Sequence, residues 1–324
     1  MIDQNILVHA CLIHGNGKGS LFSLDDIQNW RPDNGLLWIH LDSNHEDAMG
    51  WLEKTFNLNP ITCEALSDES TRPRSVVTED GMMIILRAVN HNPDQDPEDM
   101  VAIRMLFGEN FIITTRYRRV LVSQELKELL LTGYGPKTKG DFLTTLLERI
   151  TDRMSEVILD LDDCTDEMEE DIETADPLEL QTKISDIRRS AIHLRRYIAP
   201  QRDALSKLIA DRIDWIPESD RTRIREVAER TARFVQDIES ARDRALISQE
   251  EIKSRISNQM NKAMYILAII TAIFLPLTLL TGLLGINVSG IPGAENKWAF
   301  SAVTIGLIVI AVMIIAIFKR IKWL

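Results

Sequence analysis

Histidine and cysteine are scarce in this chain, and both stop early. All six histidines and three cysteines lie at or before His193. Cys11, Cys63 and Cys164 form no CxxC pair, which argues against a zinc ribbon or a redox dithiol. An odd count in a chain this long also argues against a disulfide framework, so the three read as reduced thiols. The sequence has no Walker A, no HExxH and no GxSxG, so nothing in it specifies ATP-driven work, a metalloprotease or a serine hydrolase. The reading is of a non-enzyme without a cofactor. The first residues, Met-Ile-Asp-Gln-Asn, lack the basic and apolar regions of a signal peptide. The N-terminal part is therefore expected to stay in the cytoplasm.

Charge is the next absence. No Asp, Glu, Lys or Arg occurs across the 32 positions 263–294 or the 20 positions 299–318. Each run is long enough to cross a hydrocarbon core of about 30 Å. Residues 260–324 hold five Lys or Arg and one Glu, whereas the preceding part holds 32 basic and 48 acidic residues. The net charge of -12 thus joins an acidic soluble part to a slightly basic membrane part. Acidity argues against nucleic acid as a partner, because phosphates need Lys and Arg. It suits a surface that attracts cations, although solubility alone also explains it. The tail from Lys319 to Leu324 carries three positive charges. The positive-inside rule places it in the cytoplasm. Two spans then place both termini there and the loop outside.

The first third alternates strand and helix patterns. Strands are expected at 6–13, 36–41, 74–78, 82–89, 101–107 and 111–115, and short helices at 46–56 and from Ile61 to Leu66. The sheet should be mixed, with helices over its faces. After Lys139 the pattern is helical throughout. One helix is expected from Asp141 to about Glu173 and another from Leu178 to about Ile213. A third opens at Asp220 and meets no Gly or Pro before Pro276. At 1.5 Å per residue that is roughly 80 Å, a stalk rather than a core helix. The fold class is α+β. Its parts are a soluble domain at 1–219, a stalk at 220–262, a first membrane helix at 263–287, an external loop at 288–298 with Glu295 and Lys297, a second membrane helix at 299–318 and a basic tail at 319–324.

Two helices cannot enclose a polar path, so the membrane part is either an anchor or one sector of an oligomeric pore. One face of the first membrane helix, stepped by three and four, reads Glu250, Ser254, Ser257, Asn261, Met264, Ala268, Thr271, Leu275, Thr278. It is mostly polar or small, while the neighbouring faces carry Ile, Leu and Phe. Around a symmetry axis this stripe gives rings of Asn261, Thr271 and Thr278. Small residues and Thr also mediate helix packing in membranes, which leaves Asn261 and Glu250 unexplained. At the outer end Gly285, Ile286 and Asn287 place backbone carbonyls and an amide oxygen where the water shell of a hard cation such as Mg2+ can be held.

Gly285-Ile286-Asn287 after Pro276-Leu277-Thr278 resembles the Gly-Met-Asn signature of the CorA family of divalent-cation transporters. Ile in place of Met resembles its zinc-transporting ZntB branch. So do Glu69-Ser70-Thr71-Arg72-Pro73-Arg74, the segment from Arg195 to Asp203, and Gly290-Ile291-Pro292-Gly293. The resemblance implies a funnel-shaped homopentamer in the bacterial inner membrane, with an α/β/α sandwich in the cytoplasm and the long helix lining the pore. It implies Zn2+ or another divalent cation as the transported ion, by proton-coupled uptake. A Mg2+/Co2+ channel of the CorA type and zinc efflux are the alternatives. Self-association, membrane lipid and divalent cations are the implied partners. No tight metal site is identified. His9, Cys11 and His14 are close in sequence, but position 14 leaves the strand face shared by 9 and 11. The ten acidic residues between Asp160 and Asp176 either concentrate cations or solvate a helix face. Arg188, Arg189, Arg195 and Arg196 are expected to pair with the acidic helices.

Overall fold

The structure is a computed structural model that describes residues 6–285 and 296–320. The chain divides into two compact units, 1–249 and 250–324.

The first unit is built on seven strands, β1 (Leu7–Ile13), β2 (Gly19–Phe22), β3 (Leu36–Asp42), β4 (Arg74–Thr78), β5 (Gly81–Ala88), β6 (Val101–Phe107) and β7 (Phe111–Arg116). They form one sheet in the order β2-β1-β3-β7-β6-β5-β4. Only β3 and β7 pair parallel; the other neighbours are antiparallel, so the sheet is mixed as expected. The β4–β5 turn needs glycine. Gly81 sits at φ 138°, and a Cβ there would overlap the Phe107 carbonyl oxygen. Every residue of β6, and all but the first of β5, is buried. That continuous burial requires cover on both faces.

The cover comes from two groups of helices. On one face α2 (Asp47–Phe56) and α3 (Pro60–Ser67) pack Trp51, Leu52, Cys63 and Leu66 against Leu37, Ile39, Ile85 and Ile113. Asn59 accepts from the Ile61 amide to start α3. On the other face α5 (Lys139–Glu170) sets Phe142 4.9 Å from Trp38 and 6.2 Å from Phe107, ring to ring. Next to it α6 (Pro177–Ala210) joins the sheet through polar contacts. Ser75 donates to the Ala204 carbonyl at 3.0 Å, and the Arg87 amide donates to Gln201 Oε1 at 2.8 Å.

Helices α5 and α6 and the start of α7 (Glu218–Leu284) carry buried apolar stripes at helical spacing: Leu143, Ile150 and Met154; Ile184, Leu194 and Ile198; Ile224, Val235 and Ile238. Asp176 caps α6 by accepting from the Leu178 amide, with Pro177 at its first position. The sequence reading missed β2, α1 (Leu24–Asn29) and α4 (Leu121–Thr132). α1 is six residues long and is started by a capping box between Ser23 and Asp26.

The second unit contains the rest of α7 and α8 (Ala299–Arg320). Both hold windows apolar and long enough to cross a membrane, and neither window is buried within the chain. Just before α8, Asn296 Oδ1 accepts from the Trp298 amide at 3.0 Å, a local turn that the sequence reading did not single out.

Candidate functional site

The nine stripe positions lie on α7 between Glu250 and Thr278, and all nine side chains are exposed. The half-buried positions of the membrane segment are Ile269, Ala272, Ile273, Pro276, Leu277 and Leu280. At 100° per residue these centre roughly 150° around the helix from the stripe. From Ile269 to Leu280 the stripe thus lies on the side opposite the half-buried positions, whereas from Ser257 to Ala268 every side of the helix is exposed.

Its chemistry is oxygen-rich and lacks sulfur except at Met264. The hydroxyls of Thr271 and Thr278 donate to the carbonyls of Leu267 and Phe274, each at 2.8 Å. With the proton committed to the backbone, the hydroxyl presents lone pairs outward, which suits the hydrogens of a cation's water shell. Thr281 and Thr304 make the same backbone bonds off the stripe and are also exposed, so neither the bond nor exposure alone separates the stripe from them. Pro276 cannot donate to the Ala272 carbonyl, which frees a backbone acceptor within the span. At the inner end Glu250 pairs with Lys253 at 2.7 Å, so a cation nearby is already supplied by the same helix.

Gly285 is the last described residue of the segment, and its amide donates to the carbonyls of Thr281 and Gly282 at 3.0 and 3.2 Å. Ile286, Asn287 and Glu295 lie outside the described residues. Lys297 is exposed beside Trp298, which is 77 % exposed at the start of α8. That exposure fits an interfacial anchor.

In the first unit no group of three His, Cys, Asp or Glu side chains is placed to hold a metal among the described residues. His9 and Cys11 are buried and His14 is exposed, bonded to Ser20. Burial pushes the Cys11 thiol up to about 11, away from the thiolate that a metal needs. His9 stacks edge-on against Trp38 at 4.6 Å and lies 5.0 Å from His40. Desolvation, with Lys127 and Arg116 nearby, pushes His9 down to about 3. Desolvation also holds His40 well below its usual value, with smaller contributions from His9 and Arg116. Both rings are core groups.

The arginine expectation holds for Arg195 and is corrected for the others. Arg195 pairs with Glu239 and Arg189 with Asp186 of its own helix, but Arg188 donates to the amide oxygen of Gln249 and Arg196 lies over the Tyr197 ring. The acidic run is instead held by Arg244 of α7, which contacts Asp162, Asp166 and Glu169 of α5. Bonds from Arg244 hold the Glu169 carboxyl below its usual range. A second such junction places Arg223 on Asp141 and Glu148, at 2.9 and 2.7 Å. Sequence alone could not choose among the arginines, because the partners lie 75 to 82 positions apart.

Comparison with known proteins gives the family. The model for the CorA-like Mg2+ transporter protein matches residues 33–320. A zinc transport protein, ZntB of Yersinia enterocolitica, is 35 % identical over 317 residues, covering 98 % of this chain and 96 % of its own length. A divalent cation transporter, CmaX of Pseudomonas aeruginosa, is 34 % identical over 326 residues, covering 99 % of this chain and 98 % of its own. The solved structure of full-length CmaX agrees with a TM-score of 0.86 over 99 % of both chains. The CorA magnesium transporter of Methanocaldococcus jannaschii shares the fold at 22 % identity, with a TM-score of 0.81 over 98 % of this chain and 100 % of its own. An α+β unit, a long helix that enters an apolar segment, a second apolar helix and these relatives lead to one statement: the chain belongs to the CorA-like family of divalent-cation transporters.

Proposed function

We propose that the chain moves Zn2+ into the cell through a central pore formed by five copies, with the stripe of α7 facing the axis. The observation that carries this reading is the line of exposed polar and small residues from Glu250 to Thr278, with half-buried positions opposite it from Ile269 to Leu280. A monomer has no use for such a face in lipid, whereas a ring of copies turns it into a hydrated path. A Cβ at Gly282 or Gly306 would meet nothing within 4 Å, so the chain's own packing does not require these glycines. They suit close approach by neighbouring membrane helices. In this arrangement residues 1–219 form a cytoplasmic α/β/α sandwich and 220–262 a stalk. The spans are 263–287 and 299–318, the loop 288–298 is external, and both ends lie in the cytoplasm at the inner membrane.

Zinc is favoured by the similarity to ZntB proteins, which are named as zinc transport proteins. A hydrated passage is favoured by the pore chemistry, because Zn2+ takes His and Cys ligands when it binds dry and neither residue occurs after His193. The oxygen-rich stripe is also the observation that favours the second reading, a Mg2+/Co2+ channel, since hard cations take oxygen ligands and keep their waters. Radioactive Zn2+ uptake into proteoliposomes, with Mg2+, Co2+ or Cd2+ as competitors and an imposed proton gradient, separates these readings. Zinc uptake that rises with an inward proton gradient is expected, with weak competition by Mg2+. Competition by Mg2+ as strong as by zinc itself would move the assignment to the channel, and flux only outward would make it an efflux protein.

A further inference from the structure

Two of the segments that carry the family resemblance, Glu69 to Arg74 and Arg195 to Asp203, are far apart in sequence and have no role in the pore. In the first unit they meet. Together with β5, β6 and the segment after β7 they enclose a cavity of about 420 Å³, into whose wall five arginines project: Arg72, Arg87, Arg104, Arg118 and Arg196. One carboxylate, that of Glu69, is on the same wall. Asp99 neutralises Arg118 at 2.6 Å, which leaves four guanidinium groups against one acid.

Two of these arginines are buried and make no close ion pair among the described residues, although Asp68 and Glu69 act on Arg104 and Asp99 on Arg87 from farther away. Arg104 is 1 % and Arg87 7 % exposed. Arg104 donates from Nε and one terminal nitrogen to the Asp68 carbonyl, at 2.9 and 2.6 Å. Arg87 donates to the carbonyls of Met100 and Thr71 at 3.0 and 2.8 Å. Among the described residues, Arg104 Nη1, Arg87 Nε and the hydroxyl of Thr71, which also lines the cavity, have no hydrogen-bond partner. A buried donor left unmade is costly, and a buried charge left unpaired more so. Desolvation, reinforced by Arg87, brings Arg104 down to about 10. The Tyr197 ring lies 4.5 Å from the Arg87 guanidinium and the Tyr117 ring 5.1 Å from that of Arg104. These stacks hold the planar groups in place. Pro200, one turn beyond Arg196, cannot donate to the Arg196 carbonyl, so the helix is locally freed where it borders the cavity.

We propose that this cavity binds a phosphate-bearing small molecule with at least two negative charges. Arginine forks match phosphate oxygens in planar, two-point bonds. Several forks around one space are satisfied together by a multi-oxygen anion and not by a single halide. The site belongs to the soluble unit alone, and the argument for it is independent of which ion crosses the pore.

The test is calorimetric titration of the purified full-length chain in detergent, free of chloride and of divalent cations, with inorganic pyrophosphate and with ATP as probes. One saturable site per chain and a rise in thermal midpoint on binding are expected. Equal affinity for both probes upholds the proposal with the phosphates alone as the recognised group; tighter ATP upholds it with a nucleoside contact added. Arg104→Met tests a buried donor but risks the fold. The exposed pair Arg72→Glu/Arg196→Glu should weaken binding at least tenfold, with a thermal midpoint in the absence of probe no lower than that of the native chain. No saturation at millimolar probe, the same affinity in the double variant, or saturation by chloride that phosphate does not displace would each overturn the proposal.

Discussion

His9 and His40 are titratable rings buried in the core of the first unit. Thr114 links His40 to the rest of the core: Trp38 Nε1 donates to its hydroxyl at 2.9 Å, and His40 Nδ1 lies 2.8 Å from the same oxygen. On the far side of the ring, Ser123 lies 3.2 Å from His40 Nε2. A neutral His40 satisfies this chain in either tautomer, whereas a charged one is desolvated with no acid beside it. Both histidines have folded pKa values below the ordinary 6.5, His9 at about 3, so protons favour the unfolded chain. Stability is complete above about 6.5 and falls below it, by about 1.4 kcal/mol per pH unit for each ring. Urea unfolding of the soluble unit in the full-length protein should therefore show a midpoint that drops between pH 7 and 5.5. His9→Leu removes one titrating ring, together with an unpartnered buried Nε2, and should halve the drop. A midpoint that does not move over that range would show that the rings are hydrated.

Helices explain more than side chains do about what the sequence disclosed. Strands at 74–78 and 101–107 were readable to the residue, because β-branched and aromatic residues stand between turns at Glu79-Asp80-Gly81 and Gly108-Glu109-Asn110. α4 was readable and passed over: Val122, Leu126 and Leu130 step by four, and Gly133 closes the helix at φ 90°. The stripe of α7 was readable because helical periodicity is local. The arginine cavity was not, since the separation of Arg72 from Arg196 is closed only by tertiary packing. The same holds for the clamp of Arg244 on α5, which changes how the acidic run must be tested. Neutralising Asp162, Asp166 and Glu169 would break the junction of α5 and α7 as well as remove surface charge. Arg244→Ala should cost the soluble unit about 1 kcal/mol, since its partners are half exposed and surface pairs are weak. The Glu169 carboxyl, held low by Arg244, stabilises the fold above its unfolded value of 4.5 and loses that as pH falls; the variant should lack this acid sensitivity. Attraction of cations is tested separately, with Asp163→Asn, Glu167→Gln and Glu170→Gln, which are exposed positions. Uptake at low salt should fall, and the deficit should shrink as salt rises, because screening acts over about 10 Å at 0.1 M. A deficit that ignores salt would refute the electrostatic role.

At the scale of the whole molecule the proposal depends on copies. A single chain offers one uncovered stripe and no enclosure, so transport by a monomer would refute the pore. Mass in detergent should correspond to five chains, and Asn287 should then form a ring at the outer mouth, where five amide oxygens accept hydrogen bonds from an arriving ion's waters. Asn287→Ala removes the ring, and assembly should survive while most uptake is lost. Asn287→Asp keeps the shape and adds charge; the ion should bind and leave slowly, since conduction requires release as well as capture. Thr278→Ala should be milder, because Thr278 lies within a run of further stripe positions on which a hydrated ion can lean. Zinc flux into liposomes, with the oligomer checked on the same samples, reads all three. Near-normal flux in a pentameric Asn287→Ala variant would move selection inward, to the ring of Asn261, where the stalk carries its own cations at Lys253 and Lys262.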